Sequence, residues 1–537
     1  MGEDVHLVCQ ENHPDRYDFI AGATLHRRDG TWVTTLARET DYAGKCFLHQ
    51  PELDGTLPVF VWDKYEQYSR VVPMVDLSTP ELESYIELNV AVVTELVRSR
   101  NIRVIHANHA VLMPTVAERV RARTATPFTV MPHGSDIEYA VKKDNRFLEY
   151  ASSALRATDR IFVIGDEMRG RVLKVFPGVS ALEAKLSDLH LGVDTSEFEP
   201  LARADRAGNI ADLSASLWSL PRGKSAAQES EMLARLPGVE NLDDLLAVLA
   251  PALRYDGKRP DETVDEKVRT VPWTTAPTLL FVGRLIAWKG IQSLVAALPL
   301  AIEREPNLRV IVVGHGPLRE AMEAFVWALR NGRRDIVELI ARNGGALEGH
   351  VDTAHAESGL GEVTSFYAAL EEDGNLEAYF ETARRVISAE TVVFTGYLTH
   401  TELRHLFPCC DVGVFPSVVR EAGPLVFLEA LASGCFPLGT YFGGMAASID
   451  AVAEEVAPEI AEIMKLDPKN TVADLARKIP LALEQAPRYR DVFAKLARDR
   501  YDWSSVSTHF LRETEATVAA RAPQPPAAAE SLSVDRR

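Results

Sequence analysis

Short apolar runs separated by amphipathic stretches recur along most of the chain, and they fall into two groups. The first group has β-rich runs at Val5–Cys9, Val59–Trp62, Val104–His106, Phe128–Met131 and Ile161–Ile164, with helical periodicity at Pro114–Arg123 and Phe147–Thr158. The second has runs at Leu279–Val282, Val310–Val313, Val392–Phe394, Val412–Phe415 and Phe436–Leu438, again alternating with amphipathic helices. Runs that are apolar at every position, rather than every second one, belong to strands covered on both faces. Their alternation with helices predicts parallel sheets. Two such stretches predict an α/β chain of two Rossmann-like, doubly wound domains facing each other across a cleft. Ligands of such sheets lie beyond the C-terminal ends of the strands.

The stretches between and beyond read differently. Residues 201–276 are polar and rich in Ala, Asp and Arg, with helical pattern at Leu242–Leu253, and read as an insertion or linker. Residues 327–389 read as an acidic, helical insertion. The expected organisation is an N-terminal domain over 1–200, the insertion, and a C-terminal domain over 277–500. A helix over 501–521 and a low-complexity tail over 522–537 complete it.

Length and composition narrow this picture. A chain of 537 residues exceeds one ordinary domain. With 46% hydrophobic and 25% charged residues it has ordinary globular composition. The net charge of −19, from 58 basic and 77 acidic residues, argues against nucleic acid or an anionic membrane as a broad-surface partner. A small local cationic site for a phosphate remains compatible with it. No apolar run reaches bilayer length, the acidic start reads as lacking a signal peptide, and the five cysteines show no zinc spacing or disulfide framework. The expectation is a reduced, cytoplasmic protein without an integral membrane segment.

The richest chemistry lies in Arg420-Glu-Ala-Gly-Pro-Leu-Val-Phe-Leu-Glu-Ala-Leu-Ala-Ser-Gly434. Gly423-Pro424 marks a helix start with proline at the first helical position, and Gly434 marks its end. The first-turn amides, around Pro424, Leu425 and Val426, are then free to bind a diphosphate. Carboxylates this close to an anion must face neutral hydroxyls instead. Glu421 is placed to accept from a sugar ring and Glu429 from a ribose diol.

This stretch resembles the E-(seven residues)-E signature of the family 4 retaining glycosyltransferases, which have the two-domain GT-B fold. Glu421 and Glu429 stand at that spacing, and the strand Phe436–Thr440 with the turn Gly443-Gly444 follows as the family's glycine loop does. Phe281-Val-Gly-Arg-Leu-Ile-Ala-Trp-Lys-Gly290 resembles the family's strand-loop with its basic pair, which gives Arg284 and Lys289 the leaving diphosphate. Val312-Val-Gly-His-Gly-Pro317 and Val393-Phe-Thr-Gly-Tyr-Leu398 match further strands, and the resemblance puts the Gly396 turn near the nucleotide base. Pro132-His133-Gly134-Ser-Asp136 follows a strand as the family's histidine pair does, which implies that His133 serves the donor sugar, with Asp136 on the acceptor side. Asn108 and His109 end another strand and either line the acceptor pocket or cap the following helix.

The resemblance implies transfer of a glycosyl group from an NDP-sugar co-substrate to an unidentified hydroxyl acceptor, with retention of configuration and no further cofactor. The catalytic pair would be His133 and Glu421. No Asp-x-Asp pair occurs in the chain, and the family is metal-independent, so no metal is expected. The sequence departs from the family in three places. Gly2–Cys9 resembles a later strand, as if the first βα unit were absent; Gly423 replaces a common aromatic; and Met445-Ala-Ala-Ser448 stands where a glutamate is frequent. A non-catalytic sugar-nucleotide-binding relative and a nucleotide-sugar epimerase on the same fold are the alternative readings. Acceptor control and oligomer contacts are both open to the insertions.

Overall fold

A computed structural model describes residues 2–60, 67–349, 359–420 and 423–520. The chain divides into two units, Met1–His190 with Ser507–Arg537 and Leu191–Val506. In the first, β1 (Val5–Val8), β2 (Ile20–His26), β3 (Trp32–Ala37) and β4 (Cys46–Pro51) form a mixed sheet in the order β1-β4-β2-β3. β5 (Thr56–Val59) and β6 (Arg70–Pro73) pair in parallel. β7 (Ile105–Asn108), β8 (Phe128–Met131), β9 (Arg160–Val163) and β10 (Leu186–Asp188) form a parallel sheet in the order β10-β9-β8-β7.

Within this unit the regular βα repeat is confined to β7–β10. The β2–β3 pair is antiparallel and closes through a turn in which the Arg27 amide donates to the Thr31 carbonyl at 2.9 Å. Neither strand is a continuous apolar run, since β2 is built largely on Ala21, Gly22 and Ala23 and β3 leaves Thr34 and Thr35 exposed. The expected run Val59–Trp62 ends as a strand at Val59, and its last residues lie outside the described ones. The long helix Thr79–Arg100 starts at a reciprocal cap in which Ser78 and Glu81 bond each other's backbone amides.

The second unit holds β11 (Thr278–Val282), β12 (Arg309–Val313), β13 (Val392–Gly396), β14 (Val412–Phe415), β15 (Phe436–Thr440) and β16 (Lys465–Leu466). All pair in parallel, in the order β13-β12-β11-β14-β15-β16. This is the doubly wound order 3-2-1-4-5-6, and its switch point lies between β11 and β14. β14 and β15 are buried at every position, as their unbroken apolar runs require.

The polar segment 201–276 belongs to this unit as helices Arg206–Leu217, Ala226–Arg235, Leu242–Ala252 and Val264–Thr270. Ile210, Leu213, Met232, Leu245 and Val268 share the core of the parallel sheet, so the segment is part of the domain and not a linker. Charge also ties it in. Arg319 makes two bonds to Asp261, at 2.8 and 2.7 Å, and one to Glu323 at 3.0 Å. Lys224 pairs with Glu323 and Glu320, and Lys267 pairs with Asp261 at 3.1 Å and Glu229 at 2.7 Å. Buried charges persist only when paired in this way.

The second insertion contributes Arg334–Arg342, Gly361–Glu372 and Leu376–Val386, and the Tyr379 hydroxyl donates to the Ala296 carbonyl at 2.8 Å. The terminal helix runs Trp503–Ala519, and the tail 522–537 lies outside the described residues. Trp503 packs on Gly192, where a Cβ would fall 2.3 Å from the indole. Among the described residues no helix is long and apolar enough to cross a membrane.

Candidate functional site

At the switch point of the second unit, the loop after β11 is pinned to the end of β14. Ser417 Oγ and the Val418 amide both donate to the Trp288 carbonyl, at 3.0 and 2.9 Å. Gly290, at φ 74°, closes that loop, and a Cβ there would lie 1.9 Å from the Pro416 carbonyl oxygen. Only glycine allows so close an approach at such a φ. Arg284 and Lys289 lie on this loop, Arg284 exposed and Lys289 half-buried.

After β14 the chain reaches Gly423 and Pro424; Glu421 lies outside the described residues. The helix runs Leu425–Ala432 with Pro424 at its N-cap, one residue earlier than the expected first helical position. The proline's φ of −86° and ψ of 109° are extended, which leaves Leu425 and Val426 as the first helical amides. Gly434 follows the helix, its amide donating to Leu431 at 2.9 Å. Glu429 faces inward from the helix and its side chain is 5% exposed. One carboxylate oxygen, Oε1, is 2.8 Å from His400 Nδ1. The other, Oε2, is buried and has no hydrogen-bond partner among the described residues.

β15 leads to Gly443 and Gly444, which open the helix Gly443–Ala453. Its N-cap, Phe442, supplies no side-chain bond, so the first amides of an eleven-residue helix point out uncapped. β13 ends at Gly396, whose φ is 79° and whose Cβ would fall 2.7 Å from the Asp261 amide. The chain at 259–261 lies along this turn: the Asp261 amide donates to Thr395 and the Tyr397 amide to Arg259, at 2.9 and 3.1 Å. The loops after β11, β13, β14 and β15 thus gather their polar groups at one end of the sheet.

In the first unit, β7 and β8 end in a second cluster. His133 Nε2 is 3.2 Å from Asn108 Oδ1, and the His133 and His109 rings are 4.7 Å apart. His109 takes a left-handed φ of 70° and its buried Nδ1 has no hydrogen-bond partner among the described residues. Strain of this kind persists where the surroundings impose it. Asp136 is fully buried rather than facing an acceptor, and its oxygens accept from the amides of Ala110, His133 and Ile137. It braces the two histidine loops. Burial pushes its carboxyl up to about 6 although these three amides pull the other way. Burial, aided by His133, lowers His109 to about 4, and burial also lowers His133.

Among the described residues no three His, Cys, Asp or Glu side chains gather so as to hold a metal ion. His400 is the site residue that sequence reasoning missed, because nothing in its neighbourhood of the sequence ties it to Glu429.

The second unit matches the model of the Glycosyl transferases group 1 family over residues 276–342 and 371–484. Residues 30–197 match that of Glycosyltransferase Family 4. The chain belongs to the group 1, family 4 glycosyltransferases. A stretch of 167 residues is 26% identical to an uncharacterized glycosyltransferase of Methanocaldococcus jannaschii, covering 31% of this chain and 28% of that protein. The match therefore spans less than a third of the relative's length. Among solved structures, a sucrose-phosphate synthase of Thermosynechococcus elongatus is similar over 96% of this chain and 100% of its own, at 14% identity and a TM-score of 0.50. An α,α-trehalose-phosphate synthase (UDP-forming) of Burkholderia vietnamiensis is similar over 98% of this chain and 100% of its own, at 12% identity and a TM-score of 0.50. At these identities the likeness is one of fold, the GT-B fold of this family.

Proposed function

We propose that this family member transfers a glycosyl group from a nucleoside-diphosphate sugar to a hydroxyl acceptor, with retention and without a metal. The observation that carries the reading is Glu429, a buried carboxylate with one oxygen left open, on the helix after β14, the strand that lies between β11 with its Arg284–Lys289 loop and β15 with the uncapped amides of Gly443–Ala453. A carboxylate of this kind suits a ribose diol, and uncapped amides suit a diphosphate. Arg284, Lys289, the backbone at Gly423–Val426 and the Gly443-Gly444 turn stabilise the negative charge that builds on the departing phosphate. The bond from the anomeric carbon to phosphate breaks, a bond to the acceptor oxygen forms, and the acceptor's proton passes to the departing phosphate oxygen. The roles of His133 and Glu421 at the sugar rest on the family resemblance.

Incubation with UDP-, GDP- and ADP-sugars and hydroxyl acceptors, read by NMR of the product, tests this. The expected product keeps the donor's anomeric configuration and forms equally well in EDTA. His133→Ala is expected to cut turnover by about a hundredfold while leaving donor affinity within a few-fold. An inverted product, or turnover abolished by EDTA, contradicts the reading.

A further inference from the structure

The partner of Glu429 is an exposed side chain, His400. His400 opens the helix His400–Leu406, just beyond the Gly396 turn. Its backbone is fixed by a cap in which the Thr399 amide and hydroxyl both donate to Glu402, at 2.7 and 2.6 Å. Its side chain is not fixed in the same way, being 72% exposed against 5% for Glu429. Among the described residues, its ring also meets Phe198, edge-on at 6.4 Å. An exposed imidazole thus lies against a buried carboxylate and, among the described residues, supplies the one bond that carboxylate has from a side chain.

A buried carboxylate without a partner is costly, and the His400 contact offsets part of that cost. A ribose diol offers two hydroxyls that bond both carboxylate oxygens, including the open Oε2. The histidine can then swing into solvent, because the ribose hydroxyls take over its bond to the carboxylate.

We propose that His400 is a latch on Glu429 that competes with the donor's ribose, so that donor binding releases it. This rests on the reading that Glu429 receives the ribose. The sign of the pH effect follows. Bonding to Glu429, against some burial, raises His400 above its ordinary value in the free protein, and release into solvent returns it to the ordinary range near 6.5. The complex then holds fewer protons than the free protein. Affinity rises as pH rises from about 6.5 through the raised value, and levels off above it. The groups that meet His400 from packed elements are Glu429 and the Phe198 ring, while Glu402 on its own helix is engaged by Thr399.

Calorimetry with UDP, GDP and ADP, each in two buffers of different ionisation enthalpy, reads affinity and proton release together. The 2′,3′-dideoxy form of the tightest binder serves as a probe without the diol. His400→Ala is expected to bind the ribonucleotide roughly two- to fivefold more tightly at pH 7. It should also release fewer protons than the parent, while the diphosphate's own titration cancels between the two proteins. The dideoxy probe should show no such gain. An affinity unchanged or weakened by His400→Ala, with proton release intact, overturns the latch. If ribo and dideoxy forms bind the parent equally, the ribose assignment of Glu429 fails, and the latch with it. Preference for the ribo form with no effect of His400→Ala leaves the assignment standing and removes the latch alone.

Discussion

Asp136 binds its proton more tightly in the folded chain than in the unfolded one. Its folded value of about 6 stands above the unfolded value near 3.9. Stabilisation from the protonated carboxyl is therefore fully present below about pH 4 and is lost as pH rises through about 6. The melting temperature of the parent, relative to Asp136→Asn, should fall between pH 4.5 and 7. Parallel curves for the two proteins over that range contradict the assignment. The sequence placed Asp136 beside His133 but gave no sign that three backbone amides would surround it, because Ala110 lies 26 positions away. The His400–Glu429 contact was hidden for the same reason, as its partners come from two different strand ends. The helix that carries Glu429 was legible, since its boundary residues Gly423-Pro424 and Gly434 are local signals.

Strands β11 to β15 of the second unit were readable because each contains a short apolar run flanked by helices, whereas β16, two residues that include Lys465, was not. The helices of 201–276 were not. Lys224, Asp261 and Lys267 look like solvated surface charges until Arg319, Glu320 and Glu323 are brought against them. A polar segment thus becomes core through pairing rather than through hydrophobicity. Asp261 is the centre of this element, bonded to Arg319 and Lys267 while its amide holds the end of β13. Asp261→Ala takes one partner from each of two cations, the buried Arg319 and the partly buried Lys267, and should cost about 3 kcal/mol in urea unfolding. A loss below about 1 kcal/mol contradicts a bracing role. Because the same segment supports the Gly396 turn, the variant should also weaken nucleotide binding, read by calorimetry under conditions where it remains folded.

For the molecule as a whole, the doubly wound strand order puts the switch point of the second unit where Glu429, the Gly443–Ala453 amides and the Arg284–Lys289 loop gather. The first unit was less legible, because β2 and β3 are antiparallel, β2 carries the small residues Ala21, Gly22 and Ala23, and β3 is largely exposed. Strand ends that gather polar groups are the usual ligand end of such a sheet, and the central claim is that this end is the donor site. Calorimetric titration of the full chain with UDP-, GDP- and ADP-sugars tests it most directly, alongside Glu429→Ala shown by circular dichroism to be folded. At least one nucleotide sugar should bind, and Glu429→Ala should weaken it by roughly ten- to a hundredfold, the loss of hydrogen bonds to a charged group. No binding by any of the three, or equal binding by the variant, would contradict the account.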